Sequence, residues 1–187
     1  MRTPLKLMVL VFGLASAGAG ADSSAGIPAR SVADMLYALA LANRTVYTRD
    51  IVQRLGPAND AVVAATEHYL DHKALPLPAQ MFALVAEELD ARSYWLSLRS
   101  LDPINFENAP LTPLEEQGLE YVRDNPAEAF YAGDDAAGQP SLVAVYADVA
   151  SVEACVACHN AHPASPRRDF ALGDVMGGVI VRVFLPD

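Results

Sequence analysis

Cys155-Val156-Ala157-Cys158-His159 is the segment whose residue types and spacing can do chemistry. Two thiols three positions apart lie on one side of a helical turn. They can add to the two vinyl groups of one porphyrin edge as thioethers, and the neighbouring imidazole is then directed under the ring to ligate iron. C-x-x-C-H is the attachment pattern of c-type haem. The expectation is one covalent haem c on Cys155 and Cys158, with His159 as proximal iron ligand.

Three other chemistries compete for the same residues. A thioredoxin-like dithiol wants a β-α-β setting, which the surrounding pattern does not offer. A zinc site could take Cys155, Cys158, His159 and His162, but such sites separate their ligand pairs by a dozen or more residues. A structural disulfide between Cys155 and Cys158 would close a very small, strained loop.

For the opposite face of the ring the sequence offers His68, His72, Met81, Met35 or an open position holding water. His68 and His72 stand four apart and would share a helix face, although Glu67 and Asp71 beside them also suit a solvated pair. Met35 and Met81 lie on apolar stripes that also read as core. A distal thiolate is excluded, because both cysteines are committed. His162 is too near His159 to reach the far side and reads as a loop or propionate contact. Arg167 and Arg168 could neutralise propionates, or be solvated.

These residues need a scaffold, and the pattern predicts a helical half followed by strands. Ser31 suits an N-cap for a long helix to about Leu55, with Val32, Met35, Leu36, Leu39, Ala42 and Val46 as its buried stripe. Asn59 or Asp60 caps a second helix through Leu70, and Leu75-Pro76-Leu77-Pro78 is a stiff extended connection. A third helix is expected from Ala79 to about Leu98, burying Met81, Phe82, Val85, Leu89 and Leu96 and carrying Tyr94 and Trp95. Tyr37 and Tyr47, on the first helix, join those two in lining the core. After a turn-rich loop, Thr112-Pro113-Leu114-Glu115 opens a fourth helix that stops near Asp124-Asn125-Pro126, with Glu115 reaching back. Phe130-Tyr131, Ser141 to Val149 and Val175 to Leu185 read as strands, and Gly177-Gly178 as a bulge or a close backbone approach. Ser151 would cap the short helix bearing the cysteines. Helices first and antiparallel strands later make an α+β fold. Asn43-Arg44-Thr45 matches a glycosylation sequon, discounted because it lies within a helix.

The 187 residues suit one domain, and 52% apolar against 19% charged residues permits a well-buried core. The formal charge of −10 argues against a basic nucleic-acid face and against docking on anionic lipid. Arg2 and Lys6, the apolar run Leu7 to Ala15 and an Ala-x-Ala exit are the parts of a secretory signal peptide over residues 1–21. That run is too short to span a bilayer, and no later stretch can. Residues 22–30 form a linker and 31–187 the haem-binding domain. The product is expected to be soluble, acidic and exported, in the periplasm or its equivalent.

The stretch Cys158-His159-Asn160-Ala161-His162-Pro163-Ala164-Ser165-Pro166, the turn Gly173-Asp174-Val175 and the final strand resemble the Tll0287-like family of c-type haem domains. Leu75-Pro76-Leu77-Pro78-Ala79, Asp102-Pro103-Ile104-Asn105 and Asn108-Ala109-Pro110 resemble that family's other segments, so the likeness runs from about residue 32 to 186. The resemblance implies a PAS-like fold with a single c-type haem, in which Cys155 and Cys158 hold the haem, His159 is proximal, and His162-Pro163 and Ser165-Pro166 form the loop behind. It implies an exported redox or small-ligand sensor that signals to a separate periplasmic redox or signalling partner, with no output domain expected after Asp187. A periplasmic electron-transfer cytochrome is the near alternative. A haem peroxidase-like enzyme is weaker, because it needs an open iron site and a placed acid–base group. The expectation is therefore not an enzyme.

Overall fold

The apolar runs of the C-terminal half pair as antiparallel strands. β2 (Phe130–Asp134) sets Phe130 opposite Val145 of β3 (Ser141–Val149), and β3 sets Val145 opposite Ile180 of β4 (Val175–Phe184). β4 is buried along eight of its ten residues, so neither edge of it can be left open. Its second edge is taken by β1 (Tyr94–Arg99), Leu96 opposite Val181, which gives the order β1-β4-β3-β2. The computed structural model describes residues 26–55, 63–89, 93–135 and 138–186. The expected signal peptide lies outside them.

β1 corrects the third expected helix. The helix is only α2 (Pro78–Glu88), and Tyr94 and Trp95 stand on a strand. The aromatic start of Tyr94-Trp95-Leu96 suits a pleated, half-buried surface. Of the expected stripe, Phe82 and Leu96 are buried, Met81 is half-buried, and Val85 and Leu89 are exposed.

Alternation along the strands sends side chains to two cores. Val143, Val145 and Ile180 meet Leu119 and Val122 of α3 (Pro113–Asp124) on one face. Ala144, Tyr146, Val179, Val181 and Val183 meet Ala33 of α1 (Ala29–Val46) and Phe82 of α2 on the other. The result is an α+β domain of three layers, helices on both faces of one antiparallel sheet. At Gly177 an added Cβ would strike the Arg99 carbonyl, so β1 closes on bare backbone there. One strand position away the β3–β4 register slips by a residue, at Asp148–Val149. Both expectations for Gly177-Gly178 hold.

α3 begins as expected, the Thr112 hydroxyl accepting from the Glu115 amide at 3.2 Å. The buried Glu115 carboxylate reaches one residue further than a capping box requires, accepting from the Leu111 amide at 2.7 Å.

α1 starts two residues before Ser31, with Pro28 in the N-cap position and no side-chain cap. Its inner face is also not the expected one. Ala33, Leu36, Tyr37 and Ala40 face the sheet, whereas Met35, Leu39 and Val46 are exposed. Small Ala33 lets the helix approach closely, and its charged residues find partners on the strands. Tyr131 and Tyr146 both donate to Asp34 Oδ1, at 2.5 and 2.7 Å, and Arg44 donates to Asp148 at 2.6 Å. Tyr37 stacks flat on Tyr146, centroids 4.0 Å apart. Beyond Val46 the helix widens into a π-helical turn, Tyr47–Gln53, where Thr48 donates its hydroxyl to the Arg44 carbonyl.

The start of the second expected helix lies outside the described residues, and its remainder, residues 63–70, is not helical. Ala65 pairs in parallel with Leu75, and residues 67–73 turn between them. The proline-bracketed connection leaves open backbone groups that this segment satisfies: Thr66 donates to the Leu75 carbonyl and Leu75 to that of Ala64.

Candidate cofactor site

The register slip at the end of β3 turns the chain out of the sheet into α4 (Glu153–Ala161). Its N-cap position is Val152, without a side-chain cap, so the Ser151 expectation fails. Cys155 and Val156 pack on a small apolar cluster of Ala150, Phe170 and Met176. The return segment to β4 folds back beneath the helix. Gly173 takes φ +91°, Gly173 donates to the Ala150 carbonyl, and Ala150 donates to that of Asp174.

Asn160 fixes the helix to this return. Its side-chain amide donates to the Phe170 carbonyl and accepts from the Phe170 amide, both at 2.9 Å. Phe170 is buried and meets the His159 ring edge-on, centroids 5.7 Å apart at 89°. Arg167 lies over the Phe170 ring, 4.2 Å from its centroid, and bonds Asp169 at 2.7 Å and Asp174 at 3.0 Å. Arg168 donates to the Pro163 carbonyl. The sequence assigns no role to Asn160 or Phe170, since their significance lies in a ten-residue contact that no spacing rule announces.

His159 is half-buried, and its Nδ1 is buried with no hydrogen-bond partner among the described residues. Burial lowers its pKa, Asp148 opposes that and His162 adds to it, so the ring is held in the neutral form that binds a metal. Both cysteines are free thiols, Cys155 half-buried and Cys158 exposed. Burial pushes the Cys158 thiol up, and Glu67 and Cys155 push it the same way. A thiol so placed lacks the lowered pKa of a reactive dithiol centre.

His162 has both ring nitrogens engaged. Nδ1 accepts from the Ala164 amide at 3.1 Å, which leaves the proton on Nε2, and Nε2 donates to Glu67 Oε1 at 3.2 Å. It is thus no spare fourth ligand for zinc. Among the described residues no group of three His, Cys, Asp or Glu is arranged to hold a metal ion.

The distal candidates are scattered. His68 and His72 are exposed on the 67–73 turn and do not share a helix face; His68 Nε2 is 3.6 Å from Glu67 Oε1. Met35 is exposed rather than packed. Met81 lines a cleft of about 190 Å³ between α1, α2 and β1, whose walls include Leu36, Leu39, Phe82 and Val85. Arg44, at one end of that cleft, carries the bond to Asp148. The structure therefore brings together Cys155, Cys158, His159, His162 and Arg167, with Glu67 closing from the 63–75 segment. Two thiols one turn apart and a neutral imidazole with a free buried nitrogen form a donor set that can grip a metalloporphyrin at its edge and at its metal.

The architecture is that of a known class of protein. The chain matches the crystal structure of the cyanobacterial heme-protein Tll0287 with TM-score 0.54 and 18% identity, over 87% of this chain and 99% of that one, which shows the shared α+β fold. The chain belongs to the Tll0287-like family, which it matches over residues 23–183. No curated protein matches it. Among the described residues no helix is long and apolar enough to cross a membrane.

Proposed function

We propose that the chain carries one covalent haem c on Cys155 and Cys158, with His159 as proximal ligand, and works outside the cytoplasm as a redox or small-ligand sensor domain. The observation that carries this reading is α4 itself, which presents both thiols and a neutral imidazole with an unpartnered buried nitrogen. Membership of the Tll0287-like family and the fold of a heme-protein neighbour support it. When bound, the haem supplies a one-electron redox change and, where a coordination position is open, a site for a small ligand.

The chain's own residues prepare that site. Phe170 braces the His159 ring, Asn160 holds Phe170, and Glu67 with His162 closes the 63–75 segment over the Cys158 side. The sensor reading draws on α1. Its Arg44 is bonded to Asp148, whose charge is felt at His159, and its Asp34 and Tyr37 hold the sheet. A shift at α4 thus has a polar path into the longest helix. The PAS-like description belongs to this reading, as do export, signal cleavage and a separate periplasmic partner, which an acidic chain would steer by basic charge.

Exposure of Cys158 favours a second reading, a periplasmic electron carrier, because a porphyrin edge reaching solvent exchanges electrons readily. A peroxidase-like role finds no support from the two histidines the sequence offered for it, since His68 and His72 are exposed on the turn.

The deciding experiment is a pyridine haemochrome spectrum of the denatured chain, produced with a cytochrome c maturation system. The expected result is haem retained at one per chain and lost in the C155A/C158A double variant. A colourless chain with both thiols open to alkylation overturns the proposal. Carbon monoxide binding to the ferrous protein then favours a small-ligand sensor, and fast ligand-independent electron exchange with a cytochrome favours the carrier.

A further inference from the structure

Three tyrosines lie in contact on the α1 face of the sheet. Tyr37 of α1 stacks flat on Tyr146 of β3, centroids 4.0 Å apart at 4°, and Tyr131 of β2 meets Tyr146 at 86°, 6.1 Å away. The Tyr146 and Tyr131 hydroxyls both donate to one oxygen of Asp34. Tyr146 is only 7% exposed and shares a core cluster with Ala33, Val179 and Val181. Burying a hydroxyl calls for one acceptor, and any carbonyl would serve. Here the acceptor is a carboxylate that the Tyr131 bond above all keeps ionised, against burial, and its oxygen takes two phenols. That is a stronger acceptor than burial requires.

The stack stands beside the contacts that lead to α4. Asp148 follows Tyr146 by two residues on the same face of β3, about 7 Å along the strand. Arg44 follows Tyr37 by seven residues on the same side of α1. The Tyr37–Tyr146 stack and the Arg44–Asp148 pair are therefore neighbouring rungs between helix and strand. Just beyond Asp148 the register slips and the chain turns into α4. Tyr121 provides an internal contrast. Its hydroxyl also donates to a carboxylate, Glu128 at 2.6 Å, but it is exposed and meets Phe130 only at a tilt.

We propose that Tyr146 is a one-electron redox site, with Asp34 as its proton acceptor and Tyr37 as its link toward α4, and that it drains oxidising equivalents from the haem. The source of those equivalents rests on the haem reading above; the chemistry of the tyrosine does not. The oxidant is, by class, haem that peroxide has raised above the ferric level. Tyr146 gives it one electron by way of Tyr37. The phenolic proton crosses the 2.7 Å bond to Asp34 Oδ1, which leaves a neutral tyrosyl radical and a carboxylic acid. A phenol that has lost an electron is a strong acid, and a dry core cannot hold the charge, so a base must already be in contact. Asp34 is that base, and burial shields the radical. Tyr131 is half-buried, carries Arg30 over its ring at 3.9 Å and bonds the same oxygen. It is the end at which a small soluble reductant returns the electron.

Freeze-quench electron paramagnetic resonance tests this in two arms. In the C155A/C158A full chain, flash-generated tris(bipyridine)ruthenium(III) should yield a tyrosyl radical that forms more slowly in deuterium oxide. In the haem-loaded full chain, hydrogen peroxide should yield the same radical. Y146F, which keeps the ring and loses only the hydroxyl, should abolish it in both arms. D34N keeps the shape but is no base, and should cut the yield at least tenfold and remove the deuterium effect. Y37L should cut the peroxide yield at least fivefold, and Y37F should restore it. Y121F should change neither arm. A radical that survives in Y146F, is unaltered in D34N or disappears in Y121F overturns the proposal, as does a ruthenium radical that peroxide fails to reproduce in a chain holding haem. Haem uptake without any ruthenium radical overturns the tyrosine site and leaves the haem reading standing. A ruthenium radical in a chain that takes up no haem does the reverse.

Discussion

The β3–β4 centre of the sheet and the α4 region are built on opposite principles. Val143, Val145, Ile180 and Val181 have no exposed surface at all and are sealed between helices on both faces. α4, nine residues long, has no fully buried residue and is too short to be stable alone. It is held by three apolar side chains beneath Cys155 and Val156, by the Asn160–Phe170 pair and by the Glu67–His162 bond. The element that bears Cys155, Cys158 and His159 is thus the one the core holds least, and in the proposed holoprotein two thioethers would fasten it. Fold stability and site order should be separable.

The sharpest test strikes the sheet. Arg182 bonds Asp134 at 2.5 Å and the Ser141 hydroxyl at 2.9 Å, the ion pair being only 10% and 12% exposed. R182A removes one partner of this nearly buried ion pair and should cost about 3–5 kcal/mol of global stability. Urea denaturation measures the loss, and the fraction still folded should attach haem as the wild type does. N160A strikes the other region. It severs both bonds to Phe170, worth about 1–3 kcal/mol locally. Amide exchange should rise across residues 153–174 and leave β3 and β4 untouched. Equal acceleration in both regions would show that the two are one cooperative unit.

A third test asks to which region α1 belongs. The Tyr131 hydroxyl holds the Asp34 carboxyl below its usual range; burial opposes this, while Tyr146 and Arg30 add to it. A carboxyl that resists protonation in the folded state stabilises the fold above its unfolded pKa of about 4, and that contribution is lost as pH falls through and below that value. Thermal midpoints taken from neutral to strongly acidic pH should fall more steeply for wild type than for D34N. Exchange in α4 should not follow the same limb, if α1 is tied to the sheet.

What the sequence disclosed follows the same division. β3 was legible to the residue, because a β-branched run bounded by turns has few other fates, and α3 was legible from Thr112 and Pro113. The cysteine spacing stood out for a chemical reason that needs no fold. The segment 79–98 misled because Leu89 and Leu96 continue a helical period, while the demand of β4 for a second partner is a tertiary fact. The outward seam of α1 was read as buried for a related reason: periodicity reports an apolar stripe and not what covers it. At the site, the edge-on support of His159 by Phe170 and the approach of Glu67 to His162 across 95 residues are long-range contacts. No local rule encodes them.

The smallest expected effect is the most diagnostic for the site. The Glu67 side chain is 43% exposed, and an exposed pair of this kind contributes about 0.2–1 kcal/mol, so E67A should barely move the denaturation midpoint. Its electrostatic reach is a separate matter. Burial is the larger reason the Cys158 thiol resists ionisation, and the Glu67 carboxylate is the next. E67Q keeps an oxygen to accept from His162 Nε2 and removes only the charge, so the Cys158 pKa should drop while the 63–75 segment stays in place. In the haem-free chain with Cys155→Ser, iodoacetamide should then alkylate Cys158 faster in E67Q than in its parent at the same mildly alkaline pH. E67A should match E67Q if charge alone governs the rate, and exceed it if the His162 bond also shields the thiol. Equal rates in all three would mean that the 63–75 segment does not sit against α4 in solution, and the contrast between a sealed sheet and a clasped site would lose its second half.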